Sequence, residues 1–492
     1  MEGRNGGTDP ETAVPSESSA ELLTETPLSC LSTVDQRPNS EIDDEAKPSP
    51  LTPSIEAQKS SGYLLDHKAI FTRTKRGSYG LSPTHQRKLR NNLLLGVGFL
   101  ELGNCGDFAA NVWNTTPVPH FATALMAIGG TVALFTSIFA FRDLGRSWMN
   151  IRFLREEREF LRSRKQTTIQ QDEEKLEMLT QEDLDSWLSI DFRELGSEFV
   201  DRFMMDLLLG TSAVIVAVGT FLAIGGTNKS VYHASNLLSG YIGNAPGVVF
   251  GLLNATWTGY LCARLHRHAK AVTREALPAT VKLRMTDRFH MMQRHHALSG
   301  ISSLVGGAAG MVTATMWWGY VVLIPCIVSQ ILCNYIWRKT IGYDRFIVQT
   351  SHGIEDTPVL KKLEDIVAIN QLLLKDPNQA IPGLILNPES MDSFLQFIFD
   401  HDLFDDFCLY LLKHADWRAL FYPESQPEAE FSISPRELLD ADERALSRTM
   451  ELAKRFIIQE SPLHFEYMER FLLEMAGCYV YSRHYSGGRT AH

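Results

Sequence analysis

The chain has 492 residues, a formal net charge of −11 and a mean hydropathy of −0.10, enough length for two or three structural units. The acidic balance argues against a nucleic-acid partner. The near-zero hydropathy averages polar ends with a very apolar middle, because 121–141, 207–226 and 297–337 contain no Asp, Glu, Lys or Arg. A soluble globular class is thereby excluded.

Residues 1–66 hold 13 acids against 4 bases, with no apolar periodicity and many Ser, Thr and Pro. Such a composition buries too little apolar surface to offset ordering entropy, so a disordered acidic tail is expected. Residues 67–92 reverse the sign, with seven Lys/Arg and no acid between 67 and 90. A basic strip just before an apolar segment suits anionic lipids of the cytosolic leaflet.

Apolar segments then follow at 93–113, 121–141, 205–226, 241–262, 298–316 and 319–337. Each is about the ~20 residues that cross a hydrocarbon core of ~30 Å. The connectors alternate in character. Residues 114–120 and 227–240 contain a single Lys, whereas 142–165 has eight Lys/Arg against four acids and 264–294 eight against two. The positive-inside rule places the cation-rich connectors in the cytosol, giving three hairpins with both termini inside. A five-span count would instead leave the C-terminal region outside.

Within the first segment, "LELGNCGDF" (100–108) puts two acids where a span normally has none. Glu101 lies near the midplane, and the six spans offer no Lys, Arg or His in their apolar cores to neutralise it. A lone buried carboxylate must be protonated, bind a cation or reach water. Helical spacing puts Asn104 and Asn111 on the Glu101 face and Asp107 about 120° round, nearer the outer surface and water. Asn244, Asn254, Gln330 and Asn334 are candidates to meet that face from other spans. Asp206 is expected to snorkel or cap a helix start.

The loop 142–204 is expected to be helical, with the acid-rich 172–201 either a solvated helix face or a dock for the C-terminal region. Span four carries Gly243, Gly247, Gly251, Ala255 and Gly259, a small residue every fourth position. Span five carries Ser302, Gly306, Gly310 and Ala314 in the same spacing. These stripes let helix backbones approach closely, as packing faces or as a moving seam or pore-lining surface, and an oligomer stays open. His266, His268, His295 and His296 flank basic juxtamembrane positions and are expected to add charge at low pH. The seven cysteines form no CxxC pair, so neither a disulfide nor a zinc site is expected. No phosphate loop, nucleophile elbow or HExxH helix is found, and no catalytic residue, metal or cofactor is assigned.

Residues 340–492 carry 25 acids and 14 bases, with helical apolar spacing at 359–375, 389–400, 403–413 and 441–459. The expected fold is therefore all-α: a polytopic six-helix transmembrane bundle (93–337), then an all-helical soluble domain (340–492). Within that domain "NPESMDSFLQFIFDHDLFDDFCLY" (387–410) and "LAKRFIIQESPLHFEYMERFL" (452–472) resemble a regulator of G-protein signalling (RGS) domain. Phe394, Phe397, Phe407, Leu409, Tyr410, Phe456, Ile457, Ser461 and Pro462 match that family's core and turn positions. Asp405 and Asp406 stand where the family presents a Glu and an Asn to a G protein. The resemblance implies a module that binds a cytosolic signalling protein such as Gα through that acidic turn. Two functions are open on the sequence: a membrane sensor or scaffold with such a module, or a proton- or cation-coupled transporter or channel using Glu101.

Overall fold

A computed structural model describes residues 67–73, 79–82, 88–89, 96–113, 117–170, 181–225, 228–347, 358–375, 377–421 and 430–486. The acidic tail 1–66 and half of the basic strip 67–92 lie outside these residues. The described chain is mostly helical, as the all-α expectation requires.

The first apolar segment is not one helix. It runs as α1 (Val97–Asn104), a single 3-10 turn (Cys105–Asp107) and α2 (Phe108–Val112). The 51-residue α3 (His120–Gln170) follows, then α4 (Gln181–Ser197), which continues through a π-helical turn (Glu198–Met204) into α5 (Met205–Ala223). Asp206 is thus inside a continuous helix and fully buried, and neither caps nor snorkels. A short helix α6 (Lys229–Ser235) and a second π turn lead into α7 (Ala245–Arg274), with Pro246 in its first turn, where the missing N–H costs nothing. Then come α8 (Ala279–Thr313), α9 (Gly319–Ile336) and a third π turn (Trp337–Ile341).

Three stretches are long and apolar enough to cross a membrane: His120–Thr167, Glu182–Ala223 and Gly319–Ile341. Their sidedness is visible on α3. Phe121, Leu125, Ile128, Val132 and Phe135 are exposed, while Ala122, Met126, Ala133 and Ala140 are buried. Large side chains turned out and small ones turned in invert the soluble pattern, as lipid-facing helices do. Trp317 and Trp318 are exposed between α8 and α9, where an interfacial aromatic belt would lie.

The C-terminal unit comprises α10 (Val359–Lys375), α11 (Pro377–Leu384), α12 (Met391–Asp400), α13 (Phe404–Lys413), α14 (Ala415–Phe421), α15 (Pro435–Leu439), α16 (Glu443–Gln459) and α17 (Ser461–Ser486). Phe394, Phe407, Trp417, Phe456, Ile457 and Phe465 are its core. Ser434 and Glu437 form a capping box, and Asp442 accepts from the N–H of Ala445 at 2.9 Å. The unit is not purely helical. Strand β1 (Ala69–Arg73) sits between β2 (Tyr79–Leu81) and β5 (Glu430–Ile433), antiparallel to both, with buried Phe71 opposite Leu81 and Phe431. A second pair joins β3 (Lys88–Leu89) to β4 (Arg345–Phe346), with Leu89 opposite Arg345. The basic segment before the first span is therefore woven into the unit that follows the last one.

Candidate functional site

The break in the first segment reshapes the site around Glu101. The 3-10 turn rotates Asp107 inward, where it is 2% exposed instead of reaching water as the regular helix implied. Tyr320 donates its hydroxyl to Asp107 Oδ1 and Asn111 Nδ2 donates to Oδ2, both at 2.9 Å. Glu101 and Asn104 are also buried, and Glu101 Oε2 and Asn104 Oδ1 have no hydrogen-bond partner. Both line a cavity of about 30 Å³, together with Asp107, Ser212, Asn244 and Thr313. Cys105, Leu209, Leu323 and the glycines Gly247, Gly306, Gly307 and Gly310 complete its wall. Two sequence features, the acids of the first apolar segment and part of the small-residue stripes, thus meet at one place.

The remaining stripe positions divide by what they touch. A Cβ on Gly251 would lie 2.6 Å from the Ser303 carbonyl, and one on Gly307 3.0 Å from that of Gly247. These fix the tight α7–α8 contact, and Ala255 continues it beside Gly300. Gly243 instead faces Val216 of α5, and Gly259 has nothing within 4 Å, so it takes no part in close packing. The face of α8 that meets α7 is Gly300, Ser303 and Gly307, one residue round from the expected stripe. Asn254 and Gln330 do not meet Glu101. They join through serines, Asn254 Nδ2 donating to Ser303 Oγ at 2.6 Å and Gln330 Nε2 to Ser302 Oγ at 2.6 Å. Asn334 packs its side chain against Gly96.

A second site lies where the bundle meets the C-terminal unit. Arg345 holds Glu157 through two bonds of 2.8 and 2.9 Å, and Glu194 Oε2 through two of 2.9 and 2.6 Å. Glu157 belongs to α3 and Glu194 to α4, so one guanidinium ties both helices to the chain beyond the last apolar helix. Burial opposes the charge on Arg345, but the two carboxylates outweigh it and hold the pKa well above the ordinary value. Glu474 of α17 forms a matching node, accepting from Arg193 at 2.6 Å and Arg288 at 3.0 Å. Arg288 also donates to the Ile341 carbonyl at 2.6 Å. A cavity of 150 Å³ opens at this junction, lined by Arg193, Glu198, Arg202, His295, Gln330 and Glu474 among others.

Sequence reasoning treated these charges singly. In the described part of the acid-rich segment, 181–201, Arg193 and Glu194 dock onto Glu474 and Arg345, while 172–180 lie outside the described residues. The usable signal was charge complementarity between the basic 264–294 and the acidic C-terminal region, realised in Arg284–Glu469 and Arg288–Glu474. The histidine expectation fails at His268 and His296, which are buried. Burial, with Arg264 and Arg267 adding to it, pushes His268 down to about 3, so it stays neutral at low pH.

In the C-terminal unit Phe394, Phe397, Phe407, Tyr410, Phe456, Ile457 and Ser461 are buried, and Leu409 is half-buried. Asp405 and Asp406 open α13 and are partly exposed. Asp405 is not a free surface acid, since His67 Nε2 of the N-terminal segment lies 3.5 Å from its Oδ1. Comparison with protein-family models, curated proteins and solved structures finds no match to the chain.

Proposed function

We propose that the chain is a six-span membrane sensor or scaffold with both termini cytosolic, whose C-terminal unit engages a cytosolic signalling protein. The observation that carries this reading is the Arg345 junction with its partner node at Glu474. A change in the tilt of α3, α4–α5 or α8 moves Glu157, Glu194 or Arg288, and with them the C-terminal unit. Buried ion pairs suit such a role, because their geometry is specific even where their net stabilisation is small.

The strand pairing supports the topology. β1 precedes the apolar region and β5 follows it, yet they share a sheet. An even number of crossings, as in the six-span reading, keeps both strands on one side of the membrane. The three long apolar stretches need partners, and α1–α2, α7 and α8 supply them, completing three hairpins. The basic 67–92 then lies beside anionic lipids of the inner leaflet.

The RGS resemblance favours Gα as the partner, bound through Asp405 and Asp406. The test is retention of Gα, loaded with GDP and aluminium fluoride, on the full-length protein in nanodiscs. Retention is expected and should be lost in Asp405→Arg/Asp406→Arg. Failure of every Gα class to bind removes the G-protein partner. The rival reading, cation-coupled transport through Glu101, rests on its unpartnered buried oxygen. Ion flux in proteoliposomes that disappears in Glu101→Gln would favour it over the sensor.

A further inference from the structure

We infer that the cavity beside Glu101 is a binding site for a single monovalent hard cation, Na⁺, held entirely by oxygen atoms. The argument rests on where the protons around the cavity go. Ser212 donates its hydroxyl to the Gly243 carbonyl, and Thr313 donates to that of Gly310 at 2.6 Å. Asn244 Nδ2 donates to the Gly240 and Ser239 carbonyls at 2.8 and 3.3 Å. Asn111 Nδ2 donates to Asp107 and to Tyr320. The Ser212 and Thr313 protons are committed to backbone carbonyls, so these two hydroxyls turn oxygen lone pairs towards the cavity.

Glu101 Oε2 and Asn104 Oδ1 add two more acceptors that have no hydrogen-bond partner, on residues 9% and 8% exposed. Acceptors facing one another across an enclosed space repel unless a cation or a donor lies between them. At 30 Å³ the space suits one water-sized body. Apart from the Cys105 thiol the polar side chains around the cavity offer oxygens, and no imidazole lines it, which favours a hard cation over an imidazole-binding metal. The charge follows from the carboxylates. Both Asp107 oxygens are engaged by Tyr320 and Asn111, leaving Glu101 as the carboxylate with a free oxygen. Glu101 is then the carboxylate that can contact the ion directly, which suits a single positive charge.

The broken helix gives independent support. The 3-10 turn at Cys105–Asp107 interrupts the first apolar segment beside the cavity. Irregular backbone at membrane depth is tolerated where it lines a cavity, and interrupted helices hold Na⁺ in transport proteins. Glycine walls contribute by leaving room, since a Cβ on Gly306 would lie 3.4 Å from Glu101 Oε1.

The proposal rests on the bundle reading and is independent of any partner of the C-terminal unit. The test is the melting temperature of the full chain in nanodiscs, titrated with NaCl against N-methylglucamine chloride at constant ionic strength. NaCl should raise it by about 3 °C with a saturating dependence, because a ligand of the folded state alone stabilises it by mass action. Glu101→Gln should abolish the Na⁺-specific rise. Thr313→Val, which removes one oxygen at nearly constant volume, should raise the half-saturating Na⁺ concentration about tenfold. Equal curves in the two salts overturn the proposal, including the case in which a proton alone occupies Glu101. So does a Na⁺ response that Thr313→Val leaves unchanged. Loss of Gα binding with an intact Na⁺ response would condemn the partner reading alone.

Discussion

His268 shows how burial decides a residue's role. It lies past the inner end of the fourth apolar segment, its ring 4.9 Å from that of Tyr481 on α17. Its pKa of about 3 in the fold, against 6.5 ordinarily, means the unfolded chain binds a proton that the folded chain refuses between those values. Stability is therefore full above about pH 7 and falls as pH drops through 6.5 towards 3, by up to about 1.4 kcal/mol per unit. The melting temperature should decline between pH 7 and 5, and His268→Phe should flatten that decline. An unchanged slope in the variant would show that other groups set the acid sensitivity. The sequence could flag His268 only as a cation beside cations, since Tyr481 and Cys478 arrive from more than two hundred residues away. The same distance hid the Arg345 node. Glu101 was legible because an acid in an apolar run stands out without knowledge of its neighbours.

Among elements, close backbone approach separates glycines that look alike in sequence. Gly106 in the 3-10 turn and Gly129 on α3 face each other so closely that a Cβ on either would strike the other's carbonyl. Backbone cannot rotate away as a side chain can, so Gly129→Ala must push α3 off the turn that carries Asp107. A loss of about 1–3 kcal/mol is expected, as for overpacked cores. Gly259→Ala meets nothing within 4 Å and should leave the melting temperature unchanged or slightly higher. Thermal melts of the two variants side by side decide the matter, and equal losses would sink this account. The period-four stripe in span four was legible as a packing motif. Which of its members pack was not, because that depends on the rotation of α7 and on the π turn at Asn236–Ile242 that resets the phase before it. Likewise "GNCGD" carried the residues for a break in its two glycines, but helical periodicity alone extended the helix through them.

For the whole molecule, charge alternation along the connectors was strong enough to propose three hairpins, whereas the sheet that ties the ends together was not readable. Its strands are three to five residues long, and β1 pairs with a segment some 360 positions later. The proposed topology has an even number of crossings, which that pairing supports, and the placement of α6 and of the α7–α8 turn separates the arrangements. Lys229 opens α6 and Arg274 closes α7, and both are exposed. With six spans α7 crosses the membrane and the two positions lie on opposite sides. If α7 and α8 did not cross, leaving α1–α2, α3, α5 and α9 as four spans, both would lie on one side, between α5 and α9. Single substitutions Lys229→Cys and Arg274→Cys, treated with an impermeant maleimide in sealed vesicles of known orientation, should react from the outer and inner faces respectively. Reaction of both from the same face would exclude α7 as a span, and with it the hairpin that α8 and α9 require on either side of the Glu101 cavity.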